Sequence, residues 1–169
     1  MSEVLRANLA QLLELEPMPG SRCSGTTAFS LEGLIGADVI ELPAYTSFPV
    51  HTHPGHHVLL VLEGLGALTD HNGIHRTHPG DLLLIPGDLP HAVGGGPHGQ
   101  RLLAIGAPHR VTADPLRMTA VNPPWELTCH ICGCEGYTRP LHQQGCPHCP
   151  CPECTSELAS AGAQAETTP

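Results

Sequence analysis

Lysine is absent from this chain. Its seven basic residues are all arginines, scattered along 169 positions and outnumbered by sixteen acidic residues, for a formal charge of −9. A grip on nucleic-acid phosphates needs clustered positive charge, so this composition argues against a nucleic-acid partner. The same absence removes a lysine Schiff base from the candidate chemistries. Aromatic residues are scarce as well, at 3%, beside 40% hydrophobic residues. A core built from this chain must therefore be aliphatic. No apolar run approaches the roughly 20 residues that span a bilayer. The leading stretch MSEVLRANLAQLLELEP lacks a basic segment followed by an apolar run, so neither a membrane span nor a signal peptide is expected. The expected location is cytoplasmic, where dense cysteines are more often metal ligands than disulfides.

What is present falls into distinct textures. Leu5, Leu9, Leu12 and Leu13 follow helical spacing and predict a helix over residues 3–15, with Ser2 as N-cap and Pro17 and Pro19-Gly20 as its end. From 26 to 107 short apolar runs alternate with Gly, Pro and Asn. The candidate strands are TTAFSL, IGADVIEL, VHTH, HHVLLVLEG, GALTD, GIHRTH, DLLLIP, HAVGG and RLLAIGA. DHNGI at 70–74 and HPGD at 78–81 read as turns. Many short strands with regular punctuation predict an all-β barrel or sandwich, of which a double-sheet jelly roll is one form. Residues 1–25 then serve as lead-in and 108–128 as a proline-punctuated linker. Residues 129–155 form a cysteine-rich module, and a small, polar tail over 156–169 is expected to be disordered.

Four histidines crowd HTHPGHH at 51–57. With a strand period of 2, His51 and His53 point the same way. His57 shares their parity across the Pro54-Gly55 interruption, and His56 points oppositely. A further partner has to come from elsewhere, and His91, after GDLLLIPGDLP, is the candidate. The leading set of barrel metal ligands is His51, His53, His57 and His91; a solvated histidine cluster is the plain alternative. Inward parity from His57 continues through Leu59, Val61 and Glu63. Catalytic side chains cannot be read with the same force: Glu63, Arg101 and Tyr45 are weak candidates, and His71, His75 and His78 on the hairpin are expected to be exposed without a role.

The spacing of His51, His53, His57 and Gly64 resembles the first sequence motif of the cupin superfamily. That of Gly80, Pro86, Asp88 and His91 resembles the second. The resemblance covers residues 26–107. It implies a double-stranded β-helix, or jelly-roll barrel, for that stretch, to which the leucine spacing adds a short N-terminal helix and the cysteine cluster a small C-terminal zinc-binding module. It also implies a divalent metal (Fe, Zn, Ni, Mn or Cu) in the barrel, a small-molecule ligand or substrate, and a homodimer. Tyr45, Asp88 and Gly95 depart from the motifs, and His57 stands where the family usually carries Glu. Four neutral imidazoles leave the full charge of a bound cation in place, which strengthens Lewis acidity and favours anionic ligands. Alternatively His57 swings out and leaves three histidines, as in thiol dioxygenases of the same superfamily.

Downstream, Cys129-x2-Cys132 and Cys146-x2-Cys149 form two knuckles, the pattern of a structural zinc site. Cys134, Cys151 and Cys154, with His142 preferred over His130 and His148, could complete a second zinc. Disulfides and an iron–sulfur cluster are the alternatives. So short a segment cannot build a core and would be held by metal. With Arg139 its only cation, it suits a protein partner or packing on its own barrel. Cys23 reads as an ordinary thiol. The functional expectation is a metal-binding protein, with a non-haem metal-dependent dioxygenase acting on a small anionic substrate in the lead. A non-enzymatic metal- or ligand-sensing module and a metal-assisted isomerase or hydrolase are the alternatives.

Overall fold

A computed structural model describes residues 4–44 and 46–122. Tyr45 lies outside the described residues. So do Cys129, Cys132, Cys134, His142, Cys146, Cys149, Cys151 and Cys154, and with them the whole zinc-module expectation. Among the described residues nine strands follow in order: β1 (Glu16–Pro17), β2 (Ser24–Leu31), β3 (Ile35–Leu42), β4 (His51–Thr52), β5 (His56–Asp70), β6 (Gly73–Thr77), β7 (Leu82–Ile85), β8 (Ala92–Ala107) and β9 (Thr119–Ala120). All pairings are antiparallel. Seven strands form one sheet in the order β1-β2-β3-β8-β5-β6, with β7 also paired to β5, and β4 pairs with β9 in a second sheet. The protein is all-β, as its punctuation predicts, with a cupin-type jelly-roll architecture.

Two pairs of expected strands prove to be single long ones. HHVLLVLEG and GALTD join in β5, and HAVGG and RLLAIGA join in β8. The glycines between them mark bends within a strand. The β5–β8 register shifts at Val61/Glu63 and again at Gly64/Gly66. Gly64 adopts φ +77° there, and a Cβ on Gly66 would lie 2.2 Å from the Gly94 carbonyl oxygen. Only glycine fits that close approach. Past the bend, β5 exchanges β7 for β6 as its neighbour. Both expected turns form: Asn72 N–H donates to Asp70 Oδ1 at 2.7 Å, and His78 N–H donates to Asp81 Oδ2 at 2.7 Å.

The predicted N-terminal helix is a correction. Among the described residues it is a single 3-10 turn, Leu9–Gln11, capped by Asn8, whose side chain accepts from Ala10 N at 3.1 Å. The leucine stripe packs only in part: Leu9 and Leu12 are half-buried, while Leu5 is 53% and Leu13 74% exposed. A short helix with little tertiary packing is marginal. The Leu9 carbonyl closes that one turn by accepting from Leu12 N–H at 3.4 Å, and Arg101 Nη2 donates to the carbonyls of Leu9 and Leu12 at 3.4 and 3.0 Å.

The interior is aliphatic. Cross-strand rows run Ile40–Leu102–Val61 and Asp38–Ala104–Leu59 on the inward face. Leu42, Phe48, Leu68, Ile85 and Val93 complete the core. The next row toward the mouth is Gly36–Gly106–His57. A Cβ on Gly36 would stand 2.4 Å from the His109 ring, and one on Gly106 would stand 3.4 Å from His57 Nε2. Missing side chains in this row leave the room that imidazoles occupy. Leu42 is fully buried and Leu13 is 74% exposed. Leu42→Ala should therefore cost about 2–5 kcal/mol in urea unfolding, and Leu13→Ala about 0.5 kcal/mol or less. Equal losses would show that Leu13 packs after all.

Candidate metal centre

The histidine site is assembled by backbone pairing. His51 and His91 face each other as an antiparallel pair, with His51 N–H to His91 O at 2.9 Å and His91 N–H to His51 O at 3.0 Å. His53 N–H donates to Gly87 O at 2.9 Å, which fixes the loop between β4 and β5. Strand β9 closes the other side of β4, pairing Ala120 with His51. The two stretches that carry ligands are thus held edge to edge at the barrel mouth.

Each of these three rings has its Nδ1 against a backbone carbonyl: Pro49 O at 2.7 Å for His51, Arg117 O at 3.1 Å for His53, and Leu89 O at 2.8 Å for His91. A carbonyl only accepts, so each Nδ1 carries the proton, and each Nε2 of the neutral ring presents a lone pair. These contacts are the outer-sphere arrangement that orients histidine ligands around metals. The potential ligand atoms of His51, His53 and His91 all lie within 4.8 Å of one another. His51 Nε2 and His53 Nε2 are 3.0 Å apart. With both lone pairs facing inward this contact is no hydrogen bond. Two nitrogens bound at right angles, each about 2.1 Å from one ion, would be separated by about 3.0 Å. A divalent cation fits these donors.

The rings are kept neutral for it. Burial pushes the His51 and His91 imidazoles below the ordinary range, His53 down to about 2 and His57 down to about 3. Neighbouring imidazoles and the Arg117 charge add to the effect at His51, His53 and His57. His57 itself stands beside the converging set. Its ring stacks on His53, with centroids 3.9 Å apart and planes at 22°, but it is not among the three that could hold one ion. The four-histidine expectation thus resolves, among the described residues, into a triad plus a stacked neighbour. His56 is exposed, as its parity requires.

The weak catalytic candidates lie elsewhere. Glu63 and Arg101 line a separate open groove with Glu41 and His98, and neither lines the histidine cavity. Arg101 is occupied with the amino-terminal turn. His71, His75 and His78 are exposed.

Three residues that the sequence reading missed complete the mouth. Asp38, fully buried, accepts from Thr27 Oγ1 at 2.7 Å, meets His109 Nε2 at 3.1 Å and pairs with Arg117 Nη1 at 2.5 Å. His109 Nδ1 lies 2.9 Å from Ser30 Oγ. Arg117 Nη1 also donates to the Arg110 carbonyl. Asp38 had a signal: a charge at inward parity within the apolar run IGADVIEL. His109 and Arg117 had none, because they lie in the patternless segment after β8. The cavity is lined by the histidines, Arg117 and apolar side chains that include Met18, Phe48, Leu59 and Met118. It is narrow, with about 370 Å3 of free space counted out through the open mouth.

A family model described as the AraC-like ligand binding domain matches residues 39–129, a little over half of the 169 residues. The chain belongs to the AraC-like ligand binding domain family. Solved structures agree on the cupin-type fold. The polyketide cyclase RemF from Streptomyces resistomycificus is 22% identical with a TM-score of 0.55, over 68% of this chain and 91% of that one. The Cnp3 cupin domain of Schizosaccharomyces pombe is 20% identical with a TM-score of 0.54, over 62% and 70%. A cupin-like protein from Thermotoga maritima is 16% identical with a TM-score of 0.52, over 58% and 81%. No curated protein sequence matches. Among the described residues no helix is long and apolar enough to cross a membrane.

Two outcomes follow for this family member. Replacing His51, His53 or His91 with Ala should reduce barrel metal occupancy at least about tenfold, and His57→Ala should do so much less, as read by elemental analysis after dialysis against limiting metal. Equal loss in all four would return His57 to the ligand set. In the metal-free protein, the buried histidines bind fewer protons folded than unfolded below the ordinary value of 6.5. Stability should then rise with pH up to about 6.5 and level off above it. Urea midpoints that stay flat between about pH 5 and 7 would contradict this; carboxylate losses belong to lower pH.

Proposed function

We propose that the barrel is a metal-dependent small-molecule site, with His51, His53 and His91 holding one divalent cation and the remaining coordination positions open toward the mouth. The convergence of three lone-pair nitrogens whose tautomers are set by backbone carbonyls carries this reading. When bound, such an ion would polarise a ligand oxygen or sulfur and bring it next to dioxygen or water. The chain's own part is to exclude bulk solvent with Met18, Phe48, Leu59 and Met118, and to keep the imidazoles unprotonated. Within this reading the leading activity is a non-haem metal-dependent oxygenation of a small anionic substrate. Three neutral histidines leave the ion's charge uncompensated, which favours an anion.

A second reading is a ligand-sensing module. The family description, a ligand binding domain, favours it. So does the course of the chain: β9, paired to His51, leads directly toward the cysteine-rich segment. Ligand binding at the mouth would then alter a protein contact made by that segment. The proposal includes structural zinc held by Cys129, Cys132, Cys146 and Cys149, with a second ion on Cys134, His142, Cys151 and Cys154. At four ligands per structural zinc and one ion in the barrel, elemental analysis of the full chain should give about three metals.

Oxygen consumption by the metal-loaded protein, assayed with thiols, β-diketones and flavonols, separates the readings. Uptake that disappears in His53→Ala supports the oxygenase. Metal binding without uptake on any of them, together with ligand-dependent change in the cysteine-rich segment's protection from alkylation, supports the sensor. A full chain that stays metal-free in the barrel with Fe, Zn, Ni, Mn and Cu defeats both.

A further inference from the structure

Arg117 is a buried cation with unused donors. It is 4% exposed and lines the histidine cavity. Its Nη1 is taken by Asp38 and by the Arg110 carbonyl. Among the described residues Nε and Nη2 have no hydrogen-bond partner. The only side-chain polar atoms there that are both sealed from solvent and unpartnered are Gln100 Oε1 and Arg101 Nε. Nε and Nη2 of Arg117 are thus not sealed from solvent, and Arg117 is one of the residues that border the cavity. Asp38 cannot supply more. Its Oδ1 already accepts from Thr27 and lies against His109, and its Oδ2 is shared between His109 and Arg117. The ion pair makes a positive charge tolerable beside a cation site, and it leaves one edge of the guanidinium free. A guanidinium edge in a dry pocket matches a carboxylate, whose two oxygens take two parallel N–H donors.

We propose that Arg117 recognises the carboxylate of the ligand: a small molecule with an apolar body, its carboxylate on the free edge of Arg117 and its other end on the cation site of His51, His53 and His91. Only the second contact rests on the metal reading above. The apolar body follows from the remaining wall, Met18, Phe48, Leu59 and Met118. Enclosed space beside the cation site is small, so the ligand is short and its body lies toward the open mouth. Arg117 also reaches the site through its backbone, since its carbonyl accepts from His53 Nδ1. The residue that reads the ligand's charge also orients one of the histidines. In this reading Arg117 sets specificity and leaves the chemistry to the metal and its ligands.

The test uses the full chain, cobalt(II)-loaded and metal-free, titrated with succinate and separately with azide, which needs only the metal. The visible spectrum and the heat of binding report each. Wild type should bind succinate, and Arg117→Gln should weaken it about tenfold or more, the worth of a charge-assisted pair, while azide, which loses only the nearby charge and no hydrogen bond, should weaken by a clearly smaller factor. Arg117→Gln strands Asp38 as a buried charge, so Asp38→Asn/Arg117→Gln is measured in parallel and should behave alike. Arg117→Lys keeps a cation for Asp38 without the second donor edge, and it should also weaken succinate if the neutral variants do not fold. Three results overturn the proposal: no succinate binding by wild type, succinate binding unchanged in the variants, or succinate and azide weakened equally. If wild type takes up no cobalt, the metal reading fails by itself. The role of Arg117 is then decided by the metal-free titration, where the same loss of succinate affinity must appear.

Discussion

The backbone pair between His51 and His91 joins two stretches of chain that the sequence keeps far apart, and it does so with both hydrogen bonds of a narrow antiparallel rung. Everything at the mouth is referenced to that rung. It sets the spacing of two residues directly, and the third, His53, comes two residues on, in the loop after β4. A side-chain contact could be lost to a rotamer change; a rung of backbone can be lost only by opening the sheet. The backbone positions of His51 and His91 are therefore tied to the sheet, and the Nδ1–carbonyl contacts orient the three rings from there.

Rigidity of this kind has an electrostatic counterpart. Burying several imidazoles together is tolerable because each remains neutral and each Nδ1–H finds a carbonyl, so no donor is stranded. Alongside them lies a true buried charge pair, Asp38 with Arg117, surrounded by Thr27, His109 and Ser30. Breaking such a pair by removing one member typically costs about 3–5 kcal/mol, because the survivor stays buried without its partner. The segment that delivers His109 and Arg117 thus does more than connect: it neutralises Asp38, orients His53, and supplies β9 to the edge of β4.

How much of this could be read from the chain depends on the residue. The ring of histidines was legible because period-2 parity and two spaced motifs both pointed at His51, His53 and His91. The all-β class was legible from punctuation. Strand continuity was not, since a glycine that breaks a strand and a glycine that bends one look alike in sequence; Gly64 and Gly66 are of the second kind. Facing in β5 was legible only by parity from His57, which places Leu59 and Val61 inward but fails at Glu63, exposed beyond the Val61/Glu63 register shift; apolar content alone does not show it in β5 or β7. Outward-facing Val58, Leu60, Leu82 and Leu84 are as apolar as inward-facing Leu59 and Val61, so alternation gives no contrast. The leucine spacing at the amino terminus suggested a helix because nothing local showed that the sheet would cover it only in part. Arg117 was invisible for a related reason: its importance lies wholly in a partner, Asp38, on a distant strand.

The glycines around the loop have a bearing on protein design. A Cβ on Gly55 would lie 2.2 Å from the Ala107 carbonyl oxygen, and one on Gly87 would lie 2.6 Å from the carbonyl oxygen of Gly55. The two backbones nest without side chains between them, which lets His53 reach across to Gly87. An engineer who grafted only the three imidazoles onto another jelly roll would carry over the ligands and lose their spacing. The transferable unit is the nested pair of glycine-bearing loops, with the rings as its passengers.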